Sequence, residues 1–173
     1  MNTISRNSTI SVELQTQLNT IIENSQIKTV FQPIVSLRNG SILGYEALSR
    51  GPENSPLHNP DALFDTAMQC NKLWDLELLC RTKALESAYR HFEKIKLFIN
   101  VNPHIIHDEK FVQGFTKEYL KTFNIDPENI FFEITEKNAV EDMEGFKKTI
   151  KITKNKITKL PLTMQGLDTR GLT

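Results

Sequence analysis

Residues 45–50 read Tyr-Glu-Ala-Leu-Ser-Arg and end a mainly apolar run that begins at Ile42. Glu-Ala-Leu by itself is only three good helix formers in a row, so the tripeptide indicates a structure only together with the residues around it. Upstream, residues 28–37 form a second β-prone run, and Asn39-Gly40 between the two is the dipeptide that tight hairpin turns favour. We therefore predict an antiparallel hairpin with strands over residues 28–37 and 42–48, in which Glu46 lies late in the second strand.

Beyond the hairpin, apolar periodicity predicts helices and strands in alternation. Asn59-Pro60-Asp61 has the cap and first-turn residues that open a helix, here predicted over residues 61–68. The other predicted elements are helices over residues 12–22, 72–92 and 111–123, strands over 96–101 and 130–135, and the start of a helix over 140–150. Strands separated by helices indicate a parallel sheet of the α/β class.

Four short motifs lie along this pattern, and each is an apolar run that carries an amide, a carboxylate or an arginine. They are Phe-Gln-Pro-Ile (31–34), Tyr-Glu-Ala-Leu-Ser-Arg (45–50), Phe-Ile-Asn-Val-Asn (98–102) and Phe-Glu-Ile-Thr-Glu (132–136). In this order they resemble the EAL family of cyclic di-GMP phosphodiesterases, over about residues 11–150. The resemblance implies a TIM-type (β/α) barrel whose first strand is antiparallel to the rest.

The predicted strands are too few for a whole barrel. TIM barrels need about 250 residues, whereas this sequence has 173 residues and predicts four strands by residue 135. We therefore expect about the first half of an EAL barrel over residues 28–150, preceded by a polar segment and helix over residues 1–27. Residues 151–173 are expected to be an aberrant tail that does not match the family.

A shift of the reading frame would account for the sequence of the tail. The family continues with a strand that ends in two adjacent aspartates, but Asp168 is the single carboxylate after Glu144. One permitted coding of residues 156–173, read one base earlier, encodes two adjacent aspartates followed by a glycine-rich turn. We therefore hypothesise that a frameshift between about residues 147 and 155 truncates a once complete domain.

Three polar residues in the motifs are candidate metal ligands. TIM-barrel active sites lie at the carboxyl ends of the strands, where the motifs put Glu46, Asn100 and Glu133. Mg²⁺ and Mn²⁺ take oxygen ligands, and the resemblance implies that these three residues hold such a cation. Without the resemblance, Glu46 could be a solvated strand residue and Asn100 a turn residue. Glu133 is harder to dismiss, because a carboxylate among apolar neighbours needs a partner.

The resemblance also implies contacts with the substrate. Arg50 matches an arginine that binds phosphate, for which a forked guanidinium is well suited. Gln32 matches a residue that contacts the dinucleotide, and Leu48 matches one that lines the substrate site. From the sequence alone, Gln32 could equally be a strand-edge residue and Leu48 a core residue. Glu136 matches a residue that steadies a catalytic loop later in the fold.

Composition argues against several classes of protein. Lys plus Arg equals Asp plus Glu at 21 each, and a net charge of zero disfavours a binder of nucleic acid polymers or anionic membranes. Apolar runs are far shorter than the roughly 20 residues of a membrane span, and the N-terminus lacks the apolar stretch of a secretory signal. Cys70 and Cys80 are spaced unlike a zinc site or a disulfide framework. We expect a cytoplasmic protein with free thiols.

The function implied by the resemblance is metal-dependent hydrolysis of cyclic di-GMP, a bacterial second messenger in signal transduction, to the linear dinucleotide. Since the aspartate pair and the later general-base region are absent from the sequence, we expect this chain to be catalytically inactive. The alternatives are a non-catalytic fragment that binds cyclic di-GMP or a partner, a remnant without function, and assembly with another chain. An exposed edge at the fourth strand predicts self-association.

Overall fold

A computed structural model describes residues 10–91, 96–102, 104–105, 120, 122–123, 126–134 and 162–164. The helices are α1 (Val12–Glu23), α2 (Pro60–Gln69) and α3 (Leu73–His91), and the strands are β1 (Lys28–Val35), β2 (Ile42–Arg50), β3 (Lys96–Asn100), β4 (Ile130–Ile134) and β5 (Leu162–Met164). A 3₁₀ turn, Pro127–Asn129, leads into β4. The predicted helix over residues 140–150, and most of the one over 111–123, lie outside the described residues.

The described strands form one mixed sheet in the order β1-β2-β3-β4-β5. β1 is antiparallel to β2, and each later pair is parallel, which confirms the predicted arrangement. The hairpin turn lies where the sequence predicts it, and Gly40 adopts a φ of +70°, a conformation that costs glycine little. β2 continues to Arg50, so Glu46 lies in the middle of the strand rather than late in it.

β5 corrects the expectation that β4 is an unpaired edge. Residues Phe132 to Ile134 of β4 pair in parallel with Leu162 to Met164, directly after Pro161. Pro161 cannot donate to a β-ladder, but it stands in the sequence before the paired residues and does not prevent the pairing. On this side the edge of the described sheet is therefore β5, and self-association through this edge would use β5.

One face of the sheet packs against α3 and forms the larger core. Ala47 of β2 and Leu97 and Ile99 of β3 are buried on this face. The buried residues of this core are Ala47, Trp74, Ala84, Leu85, Ala88, Leu97, Ile99, Val101, Ile105, Leu120, Ile130 and Phe132. Because successive side chains in a strand point to opposite faces, Glu46, Asn100 and Glu133 must lie on the face turned away from α3.

A second core joins the three helices and supports the loop that follows β2. Its buried residues are Leu18, Ile21, Ile27, Leu57, Leu63, Ala67, Leu76 and Cys80. Ser11 caps the N-terminus of α1, where its hydroxyl accepts from the Leu14 N–H. Asn59 caps α2 in the same way, and its side-chain oxygen accepts from the Asp61 N–H. None of the helices in the described part combines the length and the apolar character that crossing a bilayer requires.

Candidate metal and phosphate site

The candidate metal ligands meet on the open face of the sheet. Asn100 is the last residue of β3 and lies opposite Glu133 of β4 in the parallel register. Glu46 lies on β2, level with Phe98 of β3. Its carboxylate nevertheless reaches Asn100, whose Nδ2 donates to Glu46 Oε1 at 2.6 Å. The fold therefore brings together three residues that are far apart in the sequence.

The hydrogen bond between Asn100 and Glu46 orients both side chains. Since the amide nitrogen points at the Glu46 carboxylate, the amide oxygen of Asn100 is turned elsewhere and remains the acceptor of that side chain. Glu46 is half-buried, so its charge is only partly screened by water. A donor bonded to an ionised carboxylate forms one of the stronger hydrogen bonds found in proteins. The pair thus offers oxygen atoms in a defined orientation.

Glu133 is a buried carboxylate that lacks compensation among the described residues. It is 4% exposed, and its Oε2 has no hydrogen-bond partner there. Burial raises the pKa of Glu133 above its ordinary value, and the neighbouring negative charge of Glu46 raises that pKa further. An ionised carboxylate in this position is costly unless a positive charge compensates it.

No side chain of the described part supplies that positive charge. The ion pairs recorded there use Glu53, Asp75, Glu77 and Glu86. The described ranges also contain no group of three or more His, Cys, Asp and Glu side chains that could hold a metal. The candidate set is therefore two carboxylates and an amide. Oxygen donors of this kind fit a hard divalent cation such as Mg²⁺ or Mn²⁺, which would neutralise both carboxylates.

The predicted substrate residues lie on the same face of the sheet. Glu46, Leu48 and Arg50 alternate along β2, and Gln32 of β1 lies opposite Glu46 in the antiparallel register. Leu48 and Arg50 are half-buried and Gln32 is exposed. Arg50 Nη1 donates to the Ser49 carbonyl oxygen at 2.8 Å, which holds the guanidinium near the end of β2. Glu136 lies outside the described residues.

The sheet and the site have counterparts in known proteins. The family model of the EAL domain matches residues 13–163. This chain belongs to the EAL domain family. The match extends beyond residue 150, where the resemblance of the motifs was expected to end, and it includes the beginning of β5.

Individual relatives agree with this family. The probable cyclic di-GMP phosphodiesterase PdeB of Escherichia coli strain K12 is 31% identical over 129 residues, which are 72% of this chain and 25% of that protein. The FimX EAL domain of Pseudomonas aeruginosa bound to c-di-GMP superposes with a TM-score of 0.71 and 19% identity, covering 88% of this chain and 61% of that one. Klebsiella pneumoniae BlrP1 in its manganese and cyclic di-GMP complex superposes with a TM-score of 0.65 and 21% identity, covering 80% of this chain and 34% of that one.

These superpositions establish the fold, the TIM-type barrel of EAL domains, of which the chain contains a partial α/β sheet. The chain spans a quarter of the length of the E. coli relative and about three fifths of the FimX domain.

The structure also shows a buried carboxylate next to the segment that follows Asn100, which the sequence analysis did not single out. Glu77 of α3 is 2% exposed, and its Oε1 accepts from the Asn102 N–H at 2.8 Å. Arg81 lies one turn further along α3, with its Nε 3.9 Å from Glu77 Oε2 and its guanidinium over the Trp74 ring. Burial raises the pKa of Glu77, against the opposing effects of Arg81 and of the Asn102 hydrogen bond. The sequence signal was an acid–base pair with helical spacing inside an apolar run.

Proposed function

We propose that this EAL-family chain binds cyclic di-GMP through a divalent cation and an arginine. Glu46, Asn100 and Glu133 would hold Mg²⁺ or Mn²⁺, while Arg50, Leu48 and Gln32 would contact the dinucleotide. The observation that carries the proposal is Oε2 of Glu133, a buried carboxylate oxygen that has no hydrogen-bond partner among the described residues and lies beside the bonded pair of Glu46 and Asn100. The relatives, a probable cyclic di-GMP phosphodiesterase and an EAL domain bound to c-di-GMP, support the choice of ligand.

Each of these side chains would have its own role in binding a phosphodiester. When bound, the cation would polarise a phosphodiester oxygen and lower the pKa of a coordinated water. Glu46 and Glu133 would supply negative charge to hold it, and Asn100 would supply a neutral amide oxygen whose direction is fixed by the bond to Glu46. Arg50 lies at the end of the same strand and can donate two parallel hydrogen bonds to a phosphate. Leu48 between them offers apolar surface.

We infer that this binding occurs without turnover. Hydrolysis needs further acidic and basic groups, and Asp168 is the single carboxylate after Glu144 in the sequence. The chain would then recognise the messenger in signal transduction without cleaving it by itself. We infer a cytoplasmic location, in keeping with the free thiols of Cys70 and Cys80. The proposed boundaries remain an N-terminal segment over residues 1–27, the barrel portion over 28–150 and the tail over 151–173.

Titration calorimetry with Mn²⁺, followed by cyclic di-GMP, tests the proposal. Glu46→Gln and Glu133→Gln should each weaken Mn²⁺ binding by more than tenfold, about 1.4 kcal/mol, because each removes a negative ligand and keeps the side-chain volume. Glu128→Gln is the matched control, since Glu128 is an exposed carboxylate just before β4. Equal Mn²⁺ affinity in wild type and in both site variants would refute the assignment of the ligands.

A further inference from the structure

The far side of the sheet contains a buried polar contact that leads to the metal site. α3 covers the face opposite the candidate ligands, and most of its buried residues are apolar. Glu77 is an exception, because its carboxylate extends past the end of β3 and accepts from the Asn102 N–H at 2.8 Å. Asn102 follows Asn100 by two residues, so Glu77 fixes the backbone directly after a candidate metal ligand.

The backbone that follows Asn100 is fixed at two successive residues. The Val101 N–H donates to the Glu133 carbonyl oxygen at 2.9 Å, which ties the segment to β4. The next N–H, that of Asn102, donates to Glu77 and ties the segment to α3. The first bond links two candidate ligand strands to each other. The second holds the backbone two residues after Asn100 against α3.

Stability alone is a poor reason for Glu77 to be charged. A buried ion pair costs more in desolvation than it returns unless its geometry is good, and apolar residues of similar size are often as stable or more so. Here the closest Arg81 nitrogen is 3.9 Å from the carboxylate, and Arg81 Nη2 has no partner in the described part of the chain. An apolar residue at position 77 could not accept a hydrogen bond from the Asn102 N–H, as Glu77 does.

We propose that Glu77 is a positioning residue for the metal centre, which it serves by holding the Asn102 backbone so that Asn100 stays between Glu46 and Glu133. Its effect on metal affinity rests on the proposed function, whereas its effect on Asn100 does not. Partners that orient metal ligands from behind typically contribute 10–100-fold to metal affinity. Glu77 touches neither metal nor substrate and acts only through Asn100.

Two double variants isolate the acceptor from the charge. Glu77→Gln with Arg81→Met removes both charges and keeps a side-chain oxygen for Asn102, whereas Glu77→Leu with Arg81→Met removes both charges and the acceptor. The first should bind Mn²⁺ within about threefold of wild type, and the second 10–100-fold more weakly. In nuclear magnetic resonance spectra without metal, the second should also show displaced Asn100 side-chain amide signals and faster exchange of the Asn102 amide.

The outcomes separate this inference from the proposed function. If wild type binds no Mn²⁺, the proposed function fails, and the Asn100 signals alone decide the role of Glu77. If wild type does bind Mn²⁺, equal Mn²⁺ affinities in the two double variants would overturn the proposed role of Glu77. Equal Asn100 signals in the two double variants would overturn it as well. If the leucine variant does not fold, Glu77→Asp takes its place, because aspartate keeps the charge beside Arg81 but is one methylene too short for Asn102. Unchanged Asn100 signals in Glu77→Asp would then overturn the inference.

Discussion

Replacing Glu133 by glutamine should make the metal-free protein more stable and the metal-loaded protein less so. The side chain keeps its volume but loses a charge that burial and Glu46 both disfavour. A buried polar atom without a partner costs about 1–3 kcal/mol, and Oε2 of Glu133 has no partner among the described residues. The amide of a glutamine can in addition donate to the Glu46 carboxylate. We expect the variant to gain about 1–2 kcal/mol in the free energy of unfolding without metal.

Bound metal should make wild type more stable than Glu133→Gln, the reverse of their order without metal. Mn²⁺ at a hundred times its Kd stabilises a protein that binds it only when folded by about 2.7 kcal/mol. For a chain of this size, 1 kcal/mol corresponds to roughly 2–4 °C in Tm. Wild type should therefore melt roughly 2–8 °C below Glu133→Gln without metal and rise by roughly 5–10 °C with Mn²⁺, whereas the variant should barely respond.

The same variant should also change the pH dependence of stability. Because the pKa of Glu133 is raised on folding, its stabilising contribution is fully present below the ordinary value of 4.5 and is lost as the pH rises through the folded-state pKa. Glu133→Gln should not lose stability in this way as the pH rises, because glutamine does not titrate. Thermal scans over a pH series, with and without Mn²⁺ and with Glu128→Gln as control, provide the measurement. A variant that is less stable than wild type without metal and equally stabilised by Mn²⁺ would refute the reasoning.

Four further predictions concern other parts of the chain. Gly44→Ala should destabilise the fold by about 1–3 kcal/mol in urea unfolding, because the new Cβ would lie 2.5 Å from the Lys96 carbonyl oxygen; a loss below the error of the measurement would contradict this. The isolated chain should not convert cyclic di-GMP to the linear dinucleotide with Mn²⁺, and clear conversion that Glu46→Ala abolishes would prove this wrong. Sedimentation should detect concentration-dependent association through the edge of β5, whereas a monodisperse monomer at all concentrations would speak against it. If the frameshift hypothesis is correct, the nucleotide sequence should encode two adjacent aspartates in the alternative frame downstream of residue 147.

The sequence predicted those elements whose signals are local. Asn39-Gly40 marked the hairpin turn because few other residues tolerate the backbone needed there. Asn59 and Pro60 marked the start of α2, since a cap and a prolyl first turn depend only on neighbouring residues. The three candidate ligands were found through their motifs, and the structure brings them to one face. Local chemistry and family motifs together therefore predicted most of the described sheet.

Contacts between distant parts of the chain could not be predicted in this way. β5 is three residues long and forms only because β4 offers an edge to pair with, which no local pattern reports. Glu77 was hidden among leucines, and only the packing of α3 shows that its carboxylate meets Asn102. The bond between Glu46 and Asn100 likewise joins residues 54 positions apart. Each of these depends on tertiary structure rather than on propensity.

The reversed direction of β1 decides which end of the barrel the N-terminal helix reaches. Lys28, the first residue of β1, lies opposite Arg50, the last of β2, so α1 approaches from the rim that carries the polar residues. Ser55, in the loop after Arg50, donates to Gln17 of α1 at 3.0 Å. Had β1 run parallel to its neighbours, α1 would enter at the opposite rim, beside Gly40. A displacement of this helix would therefore act directly on the loop that follows Arg50, without passing through the sheet.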